Sequence, residues 1–316
     1  MANKWSFLHL LSVQDILISK VLLVKHGKVY AKAANGRGLV GGHFHLDYPS
    51  VGASETLMMA ASMADGVSVL TNVAQEPEVE DLARFLIACG AQIKGAGTST
   101  LVISGRKSLH GAQFTVIPDR IEAGTFMIAA AITRSCVSLS PVVTSHLTSI
   151  MDKLSLAGCR ISQKGPGVLE VSAEHAARGG DLEGLYLKTL PFPGFPTDLQ
   201  PQFMALLTTC NGPSTIEESI FENRMHHVKE MHKLGAAIRV HGSVAVVEGK
   251  RQTSATLCGS RVDAVDLRGG AALVLAGMAA MGVTEVTGVA HIDRGYDNFE
   301  AKLIYLGADI RREAIF

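Results

Sequence analysis

Four stretches of this chain follow one plan, and that plan limits the fold more than any other feature. They are VEDLARFLIACGAQIKGAGTSTLVISG from Val79, IMDKLSLAGCRISQKGPGVLEVSA from Ile150, HHVKEMHKLGAAIRVHGSVAVVEG from His226 and NFEAKLIYLGADIRR from Asn298. Each reads as a helix, a glycine and a strand, and in the first three a turn and a second strand follow. The glycines Gly90, Gly158, Gly235 and Gly307 are 68, 77 and 72 residues apart, the regularity of a structural repeat. Leu82 and Leu86, Ile150 and Leu154, Val228 and Met231, and Phe299, Leu303 and Leu306 fall at helical spacing. A glycine just past each helix can take the left-handed conformation that closes it. Gln92-Ile93-Lys94, Ala237-Ile238-Arg239 and Asp309-Ile310-Arg311 each set one apolar residue between polar ones, the pattern of a half-buried strand.

Ahead of each of these helices lies another, in SETLMMAASMADG, GTFMIAAAITRS, QPQFMALLTTCNG and GGAALVLAGMAAMG. These are apolar on nearly every side, so they predict central burial, and Met58, Met59, Met127 and Met204 read as core packing. Strands such as VSVLTNVA and TEVTGVA follow. One unit is then a βαβαββ module of about 70 residues, opening near Pro49, Pro118, Pro196 and Val265. Three units from Pro118 onward can close on themselves with helices inside and sheets outside. The fourth, 50–117, is left without sisters and should expose an apolar face that favours self-association.

Composition excludes several classes. Lys+Arg and Asp+Glu both number 29, so no global field favours nucleic acid or an anionic membrane. Hydrophobic residues make up 47% and charged residues 18%, which rules out an intrinsically disordered chain. The most apolar stretch, around Ala271 to Val283, is too short and glycine-broken to span a bilayer. Cys89, Cys136, Cys159, Cys210 and Cys258 are scattered without a CxxC pair, against a disulfide framework or zinc site and in favour of a reducing compartment. His43/His45 and His226/His227 lack the spacing of a metal pair. No cofactor is implied. Residues 1–20 form a leader of unknown role; Asp15 follows its apolar run without a clear cleavage site, and an organelle (plastid) destination stays open beside a cytoplasmic one.

Charged residues gather where the units start: PSVGASE from Pro49, PDRIEAGT from Pro118, FPTDLQPQF from Phe195 and VDLRGGAAL from Val265. Each precedes a buried helix, whose N-terminus offers unpaired N–H groups and partial positive charge to an anion. Repeat symmetry would point these ends one way, toward Arg120, Arg268 and the Ser50-Val51-Gly52 backbone. FENRMHH and HIDRGYDNFE add Arg224 and Arg294. A plainer reading stands beside this one. Asp119, Asp198 and Asp266 are equally suited to N-capping, and lone arginines commonly serve structural ion pairs.

Taken together, SVGASETLMMAAS, IPDRIEAGTFMIAAAIT, FPTDLQPQFMALL, FENRMHHVKEMHKLGA, DLRGGAALVLAG and HIDRGYDNFEAKL resemble the UDP-N-acetylglucosamine 1-carboxyvinyltransferase family, the UDP-N-acetylglucosamine enolpyruvyl transferases. The likeness is colinear from about Val21 to the C-terminus. It implies an inside-out α/β barrel fold of six βαβαββ units in two domains. On that plan, 21–117 is a remnant of domain one with one complete unit, and 118–316 is domain two with three. The implied reaction moves the enolpyruvyl group of phosphoenolpyruvate to the 3-hydroxyl of UDP-N-acetylglucosamine and releases phosphate, toward peptidoglycan.

Carried over residue by residue, the resemblance makes Asp198 the general base and Arg268 and Arg294 the phosphoenolpyruvate arginines. Arg120 falls nearer the domain interface. Ser50, Val51 and Gly52 match the loop on the nucleotide diphosphate; Ile220 and Arg224 match positions beside the sugar and in the cleft. Two departures follow. Tyr48 and Pro49 stand where some members place a diphosphate-binding lysine. The family's N-terminal lysine-asparagine pair, and its loop with a cysteine or aspartate acid and a neighbouring arginine, have no counterpart in this sequence. A truncated, non-catalytic member that binds sugar nucleotide or a partner is the alternative.

Overall fold

All four repeat glycines adopt left-handed φ angles, +98° at Gly90, +111° at Gly158, +86° at Gly235 and +97° at Gly307. The residue after each returns its N–H to a carbonyl five positions back: Ala91 to Leu86, Cys159 to Leu154, Ala236 to Met231 and Ala308 to Leu303. This is a Schellman closure, which satisfies end carbonyls and turns the chain sharply into the next segment. The same local chemistry, repeated four times, sets the architecture.

The computed structural model describes residues 21–25, 28–32, 38–177, 181–250 and 257–313. The leader at 1–20 lies outside them. The chain divides between Ile117 and Pro118 into two compact units. In the first, β1 (Val21–Lys25) and β2 (Lys28–Lys32) form an antiparallel pair. Then come β3 (His43–His45), α1 (Val51–Ser62), β4 (Val67–Thr71), α2 (Pro77–Ala88), β5 (Gln92–Lys94) and β6 (Thr100–Ser104). Their sheet has the order β3-β4-β6-β5, with β3 parallel to β4 and the other pairs antiparallel. This is one βαβαββ module. Leu101 and Ile103 of β6 alternate inward, as a one-sided sheet requires.

The second unit runs α3 (Arg120–Ile132), β7 (Cys136–Leu139), α4 (Thr148–Ala157), β8 (Arg160–Gly165), β9 (Val168–Ser172), a short α5 (Glu174–Ala177), β10 (Tyr186–Lys188), α6 (Gln200–Leu207) and β11 (Ser214–Glu217). It continues with α7 (Val228–Lys233), β12 (Ile238–His241), β13 (Val244–Val247), β14 (Arg261–Asp263), α8 (Leu267–Ala279), β15 (Glu285–Thr287), α9 (Ala290–Asp293) and α10 (Phe299–Tyr305). Three sheets, β7-β9-β8, β10-β11-β13-β12 and β14-β15, accompany three central helices, α3, α6 and α8, which pack on one another. Every residue of α6 is buried, as are Gly124 to Ile132 of α3 and Gly269 to Leu273 of α8. Small residues (Ala129 to Ala131, Gly269 to Ala272) let these helices approach closely while Phe203, Met204 and Met127 fill the space between layers.

Three expectations need correction. Met59 is 48% exposed: among the described residues of the first unit, α1 has no sister helix, so only Ser54, Leu57, Met58, Ala61 and Ser62 are covered. Leu306 is also exposed, at the C-cap of α10, where the chain leaves the core. Asp309–Arg311 forms no strand. The corresponding segments elsewhere pair with the strand after their turn, and no described strand pairs here.

Candidate active site

The three aspartates that precede central helices do not share a role. Asp119 caps α3, accepting the N–H groups of Ile121 at 2.7 Å and Glu122 at 3.1 Å. Asp266 caps α8 through the Gly269 N–H at 2.7 Å. Asp198 caps nothing. It lies in a 3-10 turn (Thr197–Leu199) that leads into α6, and both its oxygens face arginines. Oδ1 meets Arg224 Nη2 at 2.6 Å; Oδ2 accepts from Arg268 Nη2 at 3.0 Å and Nε at 3.3 Å. Charge-assisted contacts of this kind are the strong class of hydrogen bond, and the Nε/Nη2 fork cannot be copied by lysine.

Each partner is held from a different element. Arg268 lies in the first turn of α8, just past its Asp266 cap, with its guanidinium carbon 5.5 Å from the centroid of the Tyr296 ring. Arg224 comes from the β11–α7 connection and packs over Phe221 at 4.9 Å, with Nη1 donating to the Thr197 hydroxyl at 3.1 Å. Beneath the turn, the Gln202 amide donates to the Asp198 carbonyl at 3.0 Å and to the Tyr296 hydroxyl at 3.1 Å. Thr125 of α3 donates to the Ile121 carbonyl at 2.8 Å and meets the Tyr296 hydroxyl at 2.9 Å. Thr125, Gln202 and Tyr296 are buried and come from three successive repeats. The polar floor is thus shared among all three.

Electrostatics follow from this geometry. Burial alone would push the Asp198 carboxyl up, but Arg224 and Arg268 together outweigh it and hold the group below the usual carboxylate range. Both arginines end on one carboxylate, so a ligand anion can compete with Asp198 for them. His227, buried beside Arg224 and against Gly269, is pushed down to about 4, mainly by burial. It is neutral at pH 7 and adds no charge.

The remaining candidates are distributed more widely. Arg120 opens α3 and stacks over Phe192 at 5.7 Å. Arg294 is exposed at the end of α9, and no carboxylate pairs with it among the described residues. Among the described residues Arg294 makes no contact with Asp198, and Tyr296 of the same motif packs against Arg268. Ile220 is half-buried, its N–H donating to Glu218 at 2.9 Å. In the first unit, Ser50 caps α1 through the Ala53 N–H at 3.4 Å, and Val51 and Gly52 begin that helix. No group of three or more His, Cys, Asp and Glu fit for a metal occurs among the described residues.

Two functional neighbours escape motif reading, though each leaves a signal. Glu218 sits two residues past the buried Ile216 of β11, so strand alternation turns it inward while Glu217 turns out. Ile292, Tyr296, Phe299 and Leu303 keep helical spacing and are all buried, which places Tyr296 on the inner face.

Residues 21–303 match the family model described as EPSP synthase (3-phosphoshikimate 1-carboxyvinyltransferase). The chain is 52% identical over 289 residues to UDP-N-acetylglucosamine 1-carboxyvinyltransferase of Gloeobacter violaceus, covering 92% of this chain and 60% of that protein. It is 51% identical over 296 residues to the enzyme of the same name from Prochlorococcus marinus, covering 93% and 66%. The chain thus spans less than two thirds of the length of these relatives. Among solved structures it is similar to the enolpyruvyl transferase NikO from Streptomyces tendae, with a TM-score of 0.83 and 28% identity over 96% of this chain and 72% of that one. With repeat, fold and sequence in agreement, the chain belongs to the EPSP synthase family of enolpyruvyl transferases.

Proposed function

We propose that this site serves enolpyruvyl transfer from phosphoenolpyruvate to the 3-hydroxyl of UDP-N-acetylglucosamine, with release of phosphate, in cytoplasmic peptidoglycan precursor synthesis. The observation that carries the reading is a single carboxylate held between two arginines at the N-terminal ends of packed helices. In the reaction, the sugar oxygen attacks the central carbon of phosphoenolpyruvate as a proton joins its terminal carbon. Phosphate then leaves the tetrahedral intermediate, and the added proton is lost as the double bond re-forms. Asp198 takes the proton of the sugar hydroxyl. Arg268 and Arg294 hold the carboxylate and phosphate of phosphoenolpyruvate, and Arg120 is the third arginine of the set. Ser50, Val51 and Gly52 take the diphosphate, and Ile220 and Arg224 flank the sugar.

The ligand-free geometry adds a step. With both oxygens occupied, Asp198 is a poor base. A ligand anion that draws an arginine away frees an oxygen and raises its basicity at the moment a base is needed. Binding and activation are thereby coupled. A chain that binds sugar nucleotide without turning it over is the second reading, favoured by the occupation of both Asp198 oxygens in the ligand-free site.

Calorimetry with UDP-N-acetylglucosamine and then phosphoenolpyruvate tests this. We expect binding of both, with Arg268→Met losing phosphoenolpyruvate but keeping sugar nucleotide. Failure of both to bind, or an Arg268→Met protein that behaves as wild type, would overturn it.

A further inference from the structure

Glu218 is 2% exposed and has no part in the proton transfer described above. Its Oε1 accepts from the Thr189 hydroxyl at 2.9 Å and from the backbone N–H groups of Ile220 at 2.9 Å and Phe221 at 3.1 Å. Its Oε2 accepts from the Thr197 hydroxyl at 2.9 Å. The hydrogens can be counted. Thr189 already accepts the Ser219 N–H at 2.9 Å, and Thr197 accepts Arg224 Nη1–H at 3.1 Å. Each hydroxyl therefore has its own hydrogen to give to Glu218. Four donors converge on two oxygens, the pattern of an ionised, acceptor-only carboxylate.

That arrangement places Arg224 between two anions. Nη2 meets Asp198 directly at 2.6 Å, while Nη1 reaches Glu218 through one hydroxyl, and the Phe221 ring covers the guanidinium face. Glu218 also fixes the turn that carries Ile220 and Phe221, since both of their N–H groups end on Oε1. We propose that Glu218 is a positioning residue: through Thr197 and this turn, it keeps Arg224 in place when a ligand anion competes with Asp198. The inference rests on the proposed function for the identity of the ligand alone.

The test breaks the link without changing charge. Thr197→Val removes the hydroxyl and Thr197→Ser restores it, while Thr197→Ala gives the same readout should valine pack badly. Carbon-13 NMR of the Asp198 carboxyl is the first measurement; Arg224 and Arg268 are the charged groups that face it. Released from its second anchor, Arg224 holds Asp198 less firmly, so the midpoint should rise by about half a pH unit in Thr197→Val and return in Thr197→Ser. Affinity for UDP-N-acetylglucosamine should fall about tenfold and recover in the same pair. Glu218→Gln should share the affinity loss, because no orientation of an amide accepts at both ends. An Asp198 midpoint indifferent to Thr197→Val overturns the proposal. If the wild-type chain binds no UDP-N-acetylglucosamine, the assignment of the ligand fails instead, and the titration alone decides the role of Glu218.

Discussion

His227 gives the structure a pH dependence whose size can be worked out. The ring is 1% exposed, Nε2 has no hydrogen-bond partner, and an added Cβ on Gly269 would lie 3.0 Å from the His227 Cβ. It is packed where the Arg224 connection meets the first turn of α8. Burial pushes it from 6.5 to about 4. Because the folded value is depressed, the unfolded chain binds the proton first as pH falls, so stability is lost between about 6.5 and 4. At 1.36 kcal/mol per unit of pKa, the loss by pH 4.5 is about 2.5 kcal/mol. The window lies above the range in which Asp198 protonates, so the two effects separate. Urea unfolding followed by circular dichroism at pH 7 and 4.5, for wild type and His227→Gln, isolates the term. With a slope of about 2–3 kcal/mol per molar urea, the wild-type midpoint should drop about 1 M more than that of the variant. Equal drops would refute the assignment of a buried neutral imidazole at this position.

Other outcomes follow from single contacts. Arg268→Lys keeps charge but loses the Nε/Nη2 fork on Asp198, and phosphoenolpyruvate affinity measured by calorimetry should fall about tenfold. Gly124→Ala would place a methyl 2.5 Å from Leu199 Cδ1; with Leu199 buried beside Asp198, urea unfolding should show a loss of about 1–3 kcal/mol. We also expect the first unit to self-associate through the exposed face of α1. Light scattering should show concentration-dependent growth that Met59→Lys reduces, and a strictly monomeric wild type at high concentration would contradict this.

The repeat was legible because its chemistry is local. A glycine that must turn left-handed after a helix needs no tertiary context, and the four closures stand where the spacing of Gly90, Gly158, Gly235 and Gly307 puts them. What failed depended on partners in space. Met59 has a core composition, but among the described residues of the first unit α1 has no sister helices of the kind that bury its counterparts Met127 and Met204. Asp309–Arg311 has a strand pattern, but no described strand lies beside it. At the site, motif reading named Asp198, Arg224 and Arg268, and the fold brings them into contact. It could not separate Asp198 from the caps Asp119 and Asp266, since the sequence offers the same acid before the same kind of helix. Only the arrival of arginines from the β11–α7 connection and α8 distinguishes it. Glu218 and Thr197 were obscured for the same reason: their significance lies in a hydrogen count across two loops.

The central claim is that Asp198 exchanges Arg268 for the sugar hydroxyl when ligands arrive, while Arg224 stays anchored. A crystal structure of the chain with UDP-N-acetylglucosamine and phosphoenolpyruvate bound measures this directly. The account predicts an Asp198 oxygen about 3 Å from the sugar 3-hydroxyl and Arg268 within about 3 Å of a phosphoenolpyruvate oxygen. Both ligands bound with the Asp198–Arg268 pair intact, and the 3-hydroxyl out of reach, would contradict it.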